Sequence, residues 1–267
     1  MSANPQAAPQ PAGPDETIVL RGTFVDNGKL VPMGHGWSWI ASAWSIFARA
    51  AGLWIGMTIV LSVIFSVLML CALYGVFPFV AMVVLTLLFP IFTAGLMLAS
   101  RTIDQGGDPQ FKQLFAGFRH RLGALLTIGA VYLVANVLIT LAVFALLGVD
   151  PSAIDVNATP EEMMLAVAKL TIAGLLVVAL LLPFVMAIWF APALVAFHEM
   201  GPLRAMQQSF LGCLKNILPF LLYGVIMLVA AAVASVPVGL GWLILAPVMA
   251  ASVYTGYRDI YFSESSG

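Results

Sequence analysis

Long uncharged blocks alternate with short polar ones along this chain, and the blocks define its elements. From Ala50 to Ser100 no residue is charged. One crossing of a bilayer core takes roughly 20 apolar residues, so this run predicts two spans, at about 52–74 and 77–100, with the turn at Gly75 and Pro78. Leu122–Val149 is another uncharged run and predicts a third span, at about 122–148. Within VDPSAIDVNATPEE, Thr159-Pro160-Glu161-Glu162 has the Ser/Thr-x-x-Glu spacing of a helix start, with Pro at the first helical position. The helix it opens reaches about Phe197, longer than a bilayer core is thick. Either its first turns project from the membrane or Pro183 and Pro192 kink it; the span is placed at about 168–197. Ile217 to Tyr257 is again uncharged and broken at Pro237-Val238-Gly239, predicting spans at about 217–236 and 240–260. The expected fold class is an all-α polytopic membrane protein of six transmembrane helices, with the membrane domain over 36–263.

The polar blocks are amphipathic. In GHGWSWIASAWSIFARA, Trp37, Ile40, Trp44 and Phe47 recur at helical spacing, and such aromatics settle at headgroup level. FKQLFAGFRHRLG and Gly201–Asn216 read as two further segments of this kind. Residues 1–16, rich in Pro, Ala and Gln, read as a disordered tail without the basic and apolar regions of a secretory signal. In 17–33 two short β-prone runs flank Asp26-Asn27-Gly28, which predicts a small hairpin. Residues 1–35 are thus expected as a cytoplasmic tail.

Composition agrees with this pattern. Of 267 residues 62% are hydrophobic and 9% charged, with mean hydropathy +1.04. A soluble domain carries roughly 25% charged residues, so a water-facing globule, a disordered chain and a basic nucleic-acid binder are all excluded. Of the eleven basic residues, only Lys169 falls on one side of the predicted membrane. The positive-inside rule then places both termini in the cytoplasm, with Glu161, Glu162, Asp150 and Asp155 opposite. Cys71 and Cys213 lie near opposite faces and should not form a disulfide.

The three helical hairpins resemble one another. Each opens with a segment carrying a phenylalanine, Phe47, Phe118 or Phe210. Gly52 and Gly123 lie five residues further on, where the third copy has Lys215. Each second span carries a proline, Pro90, Pro192 or Pro247, followed about three turns later by Arg101, Arg204 or Arg258. The expectation is three elbow-plus-hairpin pseudo-repeats, with the prolines as candidate hinges.

Ionisable groups inside a membrane are the usual pointers to function, and these spans hold essentially none. Asn136, Thr86, Thr93, Thr140, Tyr223 and Tyr254 are the main remaining polar groups, and helix-to-helix hydrogen bonding is their expected role. His35, His120 and His198 are spread out and lack the clustered partners of a metal site. Adjacent His198 and Glu199 point about 100° apart on a helix. Glu161-Glu162 lacks the arginine and histidine partners of a prenyl-protease site, and neither a rhomboid-type serine, a His-x4-Asp pair nor a phosphate-cradling loop occurs. No enzyme and no cofactor is expected.

At GWSWIASAWSIF, LFAGFRHRLG and FAPALVAFHEMGPLRAMQQSFLGCLKNILPFLLYG the chain resembles an uncharacterised family of six-span inner-membrane proteins of proteobacteria. More distantly it resembles YciC-like proteins and the membrane domain of some glycerophosphodiester phosphodiesterases. The resemblance covers residues 36–262. It implies a bacterial cytoplasmic (inner) membrane location and a six-helix domain, and it brings no catalytic residue.

Two roles remain. The first is a non-enzymatic protein that organises lipids or a protein partner in the same membrane, anchored by Trp37, Trp39, Trp44, Phe47, Phe115, Phe118 and Phe210. The second is a permease or lipid-handling carrier for an uncharged or amphiphilic molecule, with Asn136, Tyr223 and Tyr254 along its path. The bilayer is a partner in both; nucleic acid is in neither.

Overall fold

The computed structural model describes residues 22–74, 78–149 and 159–263. The expected tail at 1–16, residues 17–21 of the expected hairpin, the turn at Gly75, and Asp150 and Asp155 lie outside the described residues. Among the described residues the regular secondary structure is helical apart from one pair of two-residue strands.

Helix α1 (His35–Arg49) leads into the long helices α2 (Ala51–Tyr74) and α3 (Pro78–Asp104). A 3-10 segment, Phe111–Phe118, leads into α4 (Leu122–Leu147) and α5 (Pro160–Trp189), continued by the short α6 (Ala191–His198). Helix α7 (Pro202–Lys215) leads into α8 (Ile217–Ser235) and α9 (Trp242–Tyr261). Helix α5 starts at the Thr159 capping box: Thr159 N–H donates to Glu162 Oε2 at 2.8 Å and Glu162 N–H to Thr159 Oγ1 at 3.3 Å. It ends where Pro192 would remove a helix hydrogen bond; the chain bends at Phe190 and restarts as α6. Pro90, Pro183 and Pro247 sit inside continuous helices.

Three elbow-plus-hairpin units are therefore present, and their packing is cyclic. The 3-10 segment packs on α3, α7 packs on α5, and α1 packs on α9. Each amphipathic segment thus lies against the second arm of the preceding hairpin, with the first unit closing onto the last. The buried core is concentrated at this end of the bundle, at the start of α2, α4 and α8 and the end of α3 and α9, with α6 between. Towards the other end, side chains such as Val63, Leu146, Val178 and Leu228 are exposed, and apolar surface on this scale requires lipid around it.

By length and composition, five described helices are apolar enough to cross a membrane: α2, α3, α4, α5 with α6, and α8. The expected sixth span at 240–260 is α9, whose last turns carry Ser252, Thr255, Arg258 and Asp259. Wrapped by α1, α2, α3 and α8, α9 faces protein where a lone span would face lipid, and so it can carry polar residues. One expectation is corrected, at residues 17–33. Strand β1 (Thr23–Phe24) pairs antiparallel with β2 (Phe262–Ser263). The turn exists, with Asn27 and Gly28 at φ of 60° and 66°, but it leads the chain onto α7 and α9. An isolated hairpin is marginal in water; the chain's other end supplies the neighbour.

Candidate functional site: the end built by the amphipathic segments

Helix α1 has two faces. Gly36, Trp39, Ala43, Ile46 and Phe47 are buried, whereas Trp37 and Trp44 are 57% and 54% exposed. Gly36 is required for this seating, because a Cβ there would run into the Pro219 carbonyl oxygen of α8. Trp39 and Phe47, expected as anchors at the membrane surface, belong instead to the core. Trp39 Nε1–H donates to Asp259 Oδ2 at 2.8 Å, and its carbonyl accepts from Thr255 Oγ1–H at 2.8 Å. The reason is register: at 3.6 residues per turn Trp39 points well away from Trp37 and Trp44.

The other two segments are docked by different devices. In the 3-10 segment Leu114 and Gly117 are buried, and a Cβ on Gly117 or on Gly95 of α3 would meet backbone of the other element. Phe111, Phe115 and Phe118 remain exposed, with Phe115 and Phe118 edge-on to Phe92. Helix α7 is fastened through Ser209, whose Oγ accepts from Phe190 N–H at 2.9 Å and donates to Met186 O at 2.6 Å, bridging the break between α5 and α6. Phe210 is half-buried, and Leu203 and Leu214 are exposed.

Where α3, α6 and α9 converge, polar groups interlock. Arg258 Nη1 lies 2.6 and 2.5 Å from the two carboxylate oxygens of Asp104, which also accepts from Tyr254 Oη–H at 3.0 Å. Arg101 lies over the Phe197 ring, 5.1 Å from its centroid. His198 Nε2 pairs with Tyr257 Oη at 2.5 Å, while the Glu199 backbone carbonyl accepts from Arg121. His35 Nδ1 meets Asp259 Oδ2 at 2.8 Å.

Residues 22–33 cross this end as a strap. Asn216, fully buried between α7 and α8, accepts from Val31 N–H at 2.9 Å and donates to Lys29 O at 2.9 Å and Gly212 O at 2.8 Å. Gln208 accepts from Asn27 N–H, and Lys29 N–H donates to Ile260 O at 2.8 Å. Asn216, Gln208, Asp104 and Asp259 were missed by pattern reading. Their signal was polar residues placed beside the basic ones that flank the spans: Asp104 near Arg101, Asp259 beside Arg258, and Gln208 and Asn216 around Lys215.

Two of the residues expected along a path are engaged in core hydrogen bonds. Tyr223 is buried and bonded to Ser252 Oγ at 2.8 Å, Tyr254 is committed to Asp104, and Asn136 sits half-buried on α4. Pro90, Pro192 and Pro247 are all buried. A cavity of about 450 Å³ lies elsewhere, between the strap and the α7–α8 junction. No group of three or more potential metal ligands occurs among the described residues. Cys213 is buried beside Met186 O, and burial pushes its thiol pKa up; Cys71 is exposed.

No protein-family model matches the chain, and no solved structure matches it significantly. The chain is similar to a protein of Burkholderia thailandensis named "probable inner membrane protein". The two are 30% identical over 203 residues, covering 71% of this chain and 72% of the relative. With several helices apolar enough to cross a bilayer and a relative this extensive, the chain belongs to this family of inner-membrane proteins.

Proposed function

We propose that this integral membrane protein is a non-enzymatic organiser of lipids or of a protein partner in the inner membrane, working through the end built by its amphipathic segments. The observation that carries the reading is the division of α1: one face is locked into the core by Trp39 and Phe47, and the other presents Trp37 and Trp44. A rigidly seated helix with outward aromatics makes an anchor of fixed orientation, and aromatic side chains are the usual hot spots of such contacts. The exposed Phe111, Phe115 and Phe118 add to the same end. Orientation follows from charge. Arg49, Arg101, Arg119, Arg121, Arg204 and Arg258 all lie at this end and Lys169 near the other, which favours a cytoplasmic location for the segments and both termini. With α9 as a sixth crossing, the termini share one side.

The carrier reading is less well supported, because Tyr223 and Tyr254 are held by core hydrogen bonds. The test is gentle extraction from native membranes followed by native mass spectrometry of the intact assembly. Wild-type protein should retain a stoichiometric companion, and Trp37→Ala/Trp44→Ala should lose it while remaining folded. Identical recovery from both would sink the reading.

A further inference from the structure

We infer that the groove between the strap and the α7–α8 junction seats one anionic phospholipid, an acyl chain lying along its apolar walls and the headgroup phosphate at Lys215. This deepens the organiser reading by naming a lipid class and a place. The groove holds about 450 Å³, within the roughly 300–1,000 Å³ of small-ligand sites. Leu30, Pro32 and Met33 form one wall and Leu214, Ile217 and Leu218 the other, with Lys215 the charged residue in the lining.

Three observations select the occupant. The first is depth. Ile217 and Leu218 open the first turn of α8, a membrane-crossing helix, whereas Lys215 ends α7 just before it. The groove therefore straddles the level where headgroups give way to hydrocarbon. The second is chemistry. Leu30 is 74% and Leu218 60% exposed, so water in the groove would leave a wide apolar lining wet. A purely apolar occupant would in turn strip water from the ammonium group of Lys215. An amphiphile with a negative head answers both.

Lys215 Nζ donates to Gly28 O at 3.0 Å, and an ammonium group carries three donors, which leaves two for phosphate oxygens. Lys29 adds a positive charge next to Leu30 in sequence. The third observation is rigidity. Asn216 pins the strap at Val31 and Lys29, so the wall is already in place and little ordering is left for the lipid to impose.

The test uses the full chain in detergent, offered phosphatidylglycerol and phosphatidylcholine of identical acyl chains in equal amounts, and read by native mass spectrometry. One phosphatidylglycerol should be retained in preference to phosphatidylcholine. Lys215→Gln should weaken that preference about fivefold, the worth of one lysine at an anionic surface. Leu218→Trp fills the groove without touching the lysine and should lower retention of both lipids. A photo-crosslinking residue at Leu218 in cells should capture phospholipid. Equal retention of the two lipids by wild type, wild-type behaviour of both variants, or capture of a polypeptide at Leu218 would each overturn the assignment. Trp37→Ala/Trp44→Ala, which tests the broader reading, should leave phosphatidylglycerol retention intact, so either idea can fail without the other.

Discussion

Arg258, near the end of α9, grips both carboxylate oxygens of Asp104, near the end of α3, at 2.6 and 2.5 Å. The pair joins the second arms of the first and third hairpins, and Tyr254 Oη–H adds a third donor to the same carboxylate. Asp104 is mostly buried, with its side chain 20% exposed. Hydrogen bonds to charged groups contribute about 1.5–3 kcal/mol. Asp104→Ala should therefore cost about 2 kcal/mol in thermal unfolding in detergent, and Asp104→Ala/Arg258→Ala should cost less than the sum of the single changes. Strict additivity would show that the contact is incidental.

The glycines of the 3-10 docking should separate cleanly from those at the segment-to-span joints. A Cβ on Gly117 meets the Ile91 backbone, whereas one on Gly123 has open space around it. Gly117→Ala should destabilise by about 1–3 kcal/mol, as overpacking does. Gly123→Ala, in the first turn of α4, should be neutral or stabilising, since alanine is the better helix former. Melting temperatures of the two variants in one detergent decide the matter.

Asn216 organises the strap through its side-chain amide. Asn216→Leu would leave the Val31 N–H and Lys29 carbonyl without their partner. Burying such groups unsatisfied costs about 1–3 kcal/mol each. The strap should then open, and limited proteolysis should cut within residues 22–33 at protease levels that spare the wild type. An unchanged cleavage pattern would mean that the β1–β2 pairing holds the strap without Asn216.

The two cysteines should differ in reactivity. Burial raises the pKa of the Cys213 thiol, so at neutral pH it stays protonated as well as shielded, and the thiolate is the reactive form. A thiol-specific label should reach Cys213 only after denaturation, and raising the pH to 9 should not expose it in the folded protein. Cys71→Ser protein isolates the signal; rapid labelling of that variant in the native state would contradict the packing of α7 on α5.

Which of these relationships were legible beforehand follows from their range. The uncharged runs, the Thr159–Glu162 helix start, the break near Pro192 and the three amphipathic segments are local signals. A bilayer or a helix of 3.6 residues per turn imposes them on a short window of sequence. Membrane residence and helical class were therefore determined by the pattern alone, and so was the order of segment and hairpin, three times over.

Tertiary structure decided the rest. Whether an aromatic on α1 faces outward or inward depends on which side meets α9; GWSWIASAWSIF puts Trp37 and Trp39 on different sides of the helix without saying which side is buried. The partner of strand Thr23–Phe24 lies at the other end of the chain, beyond the reach of any turn rule. That the last turns of α9, expected as the sixth span, are surrounded by protein follows from its contacts with α1, α2, α3 and α8. The groove beside Lys215 exists only because the closing of the ring brings the strap against α8. Local periodicity records what each segment needs from its solvent, while contacts between distant segments depend on which surfaces the closed ring brings together.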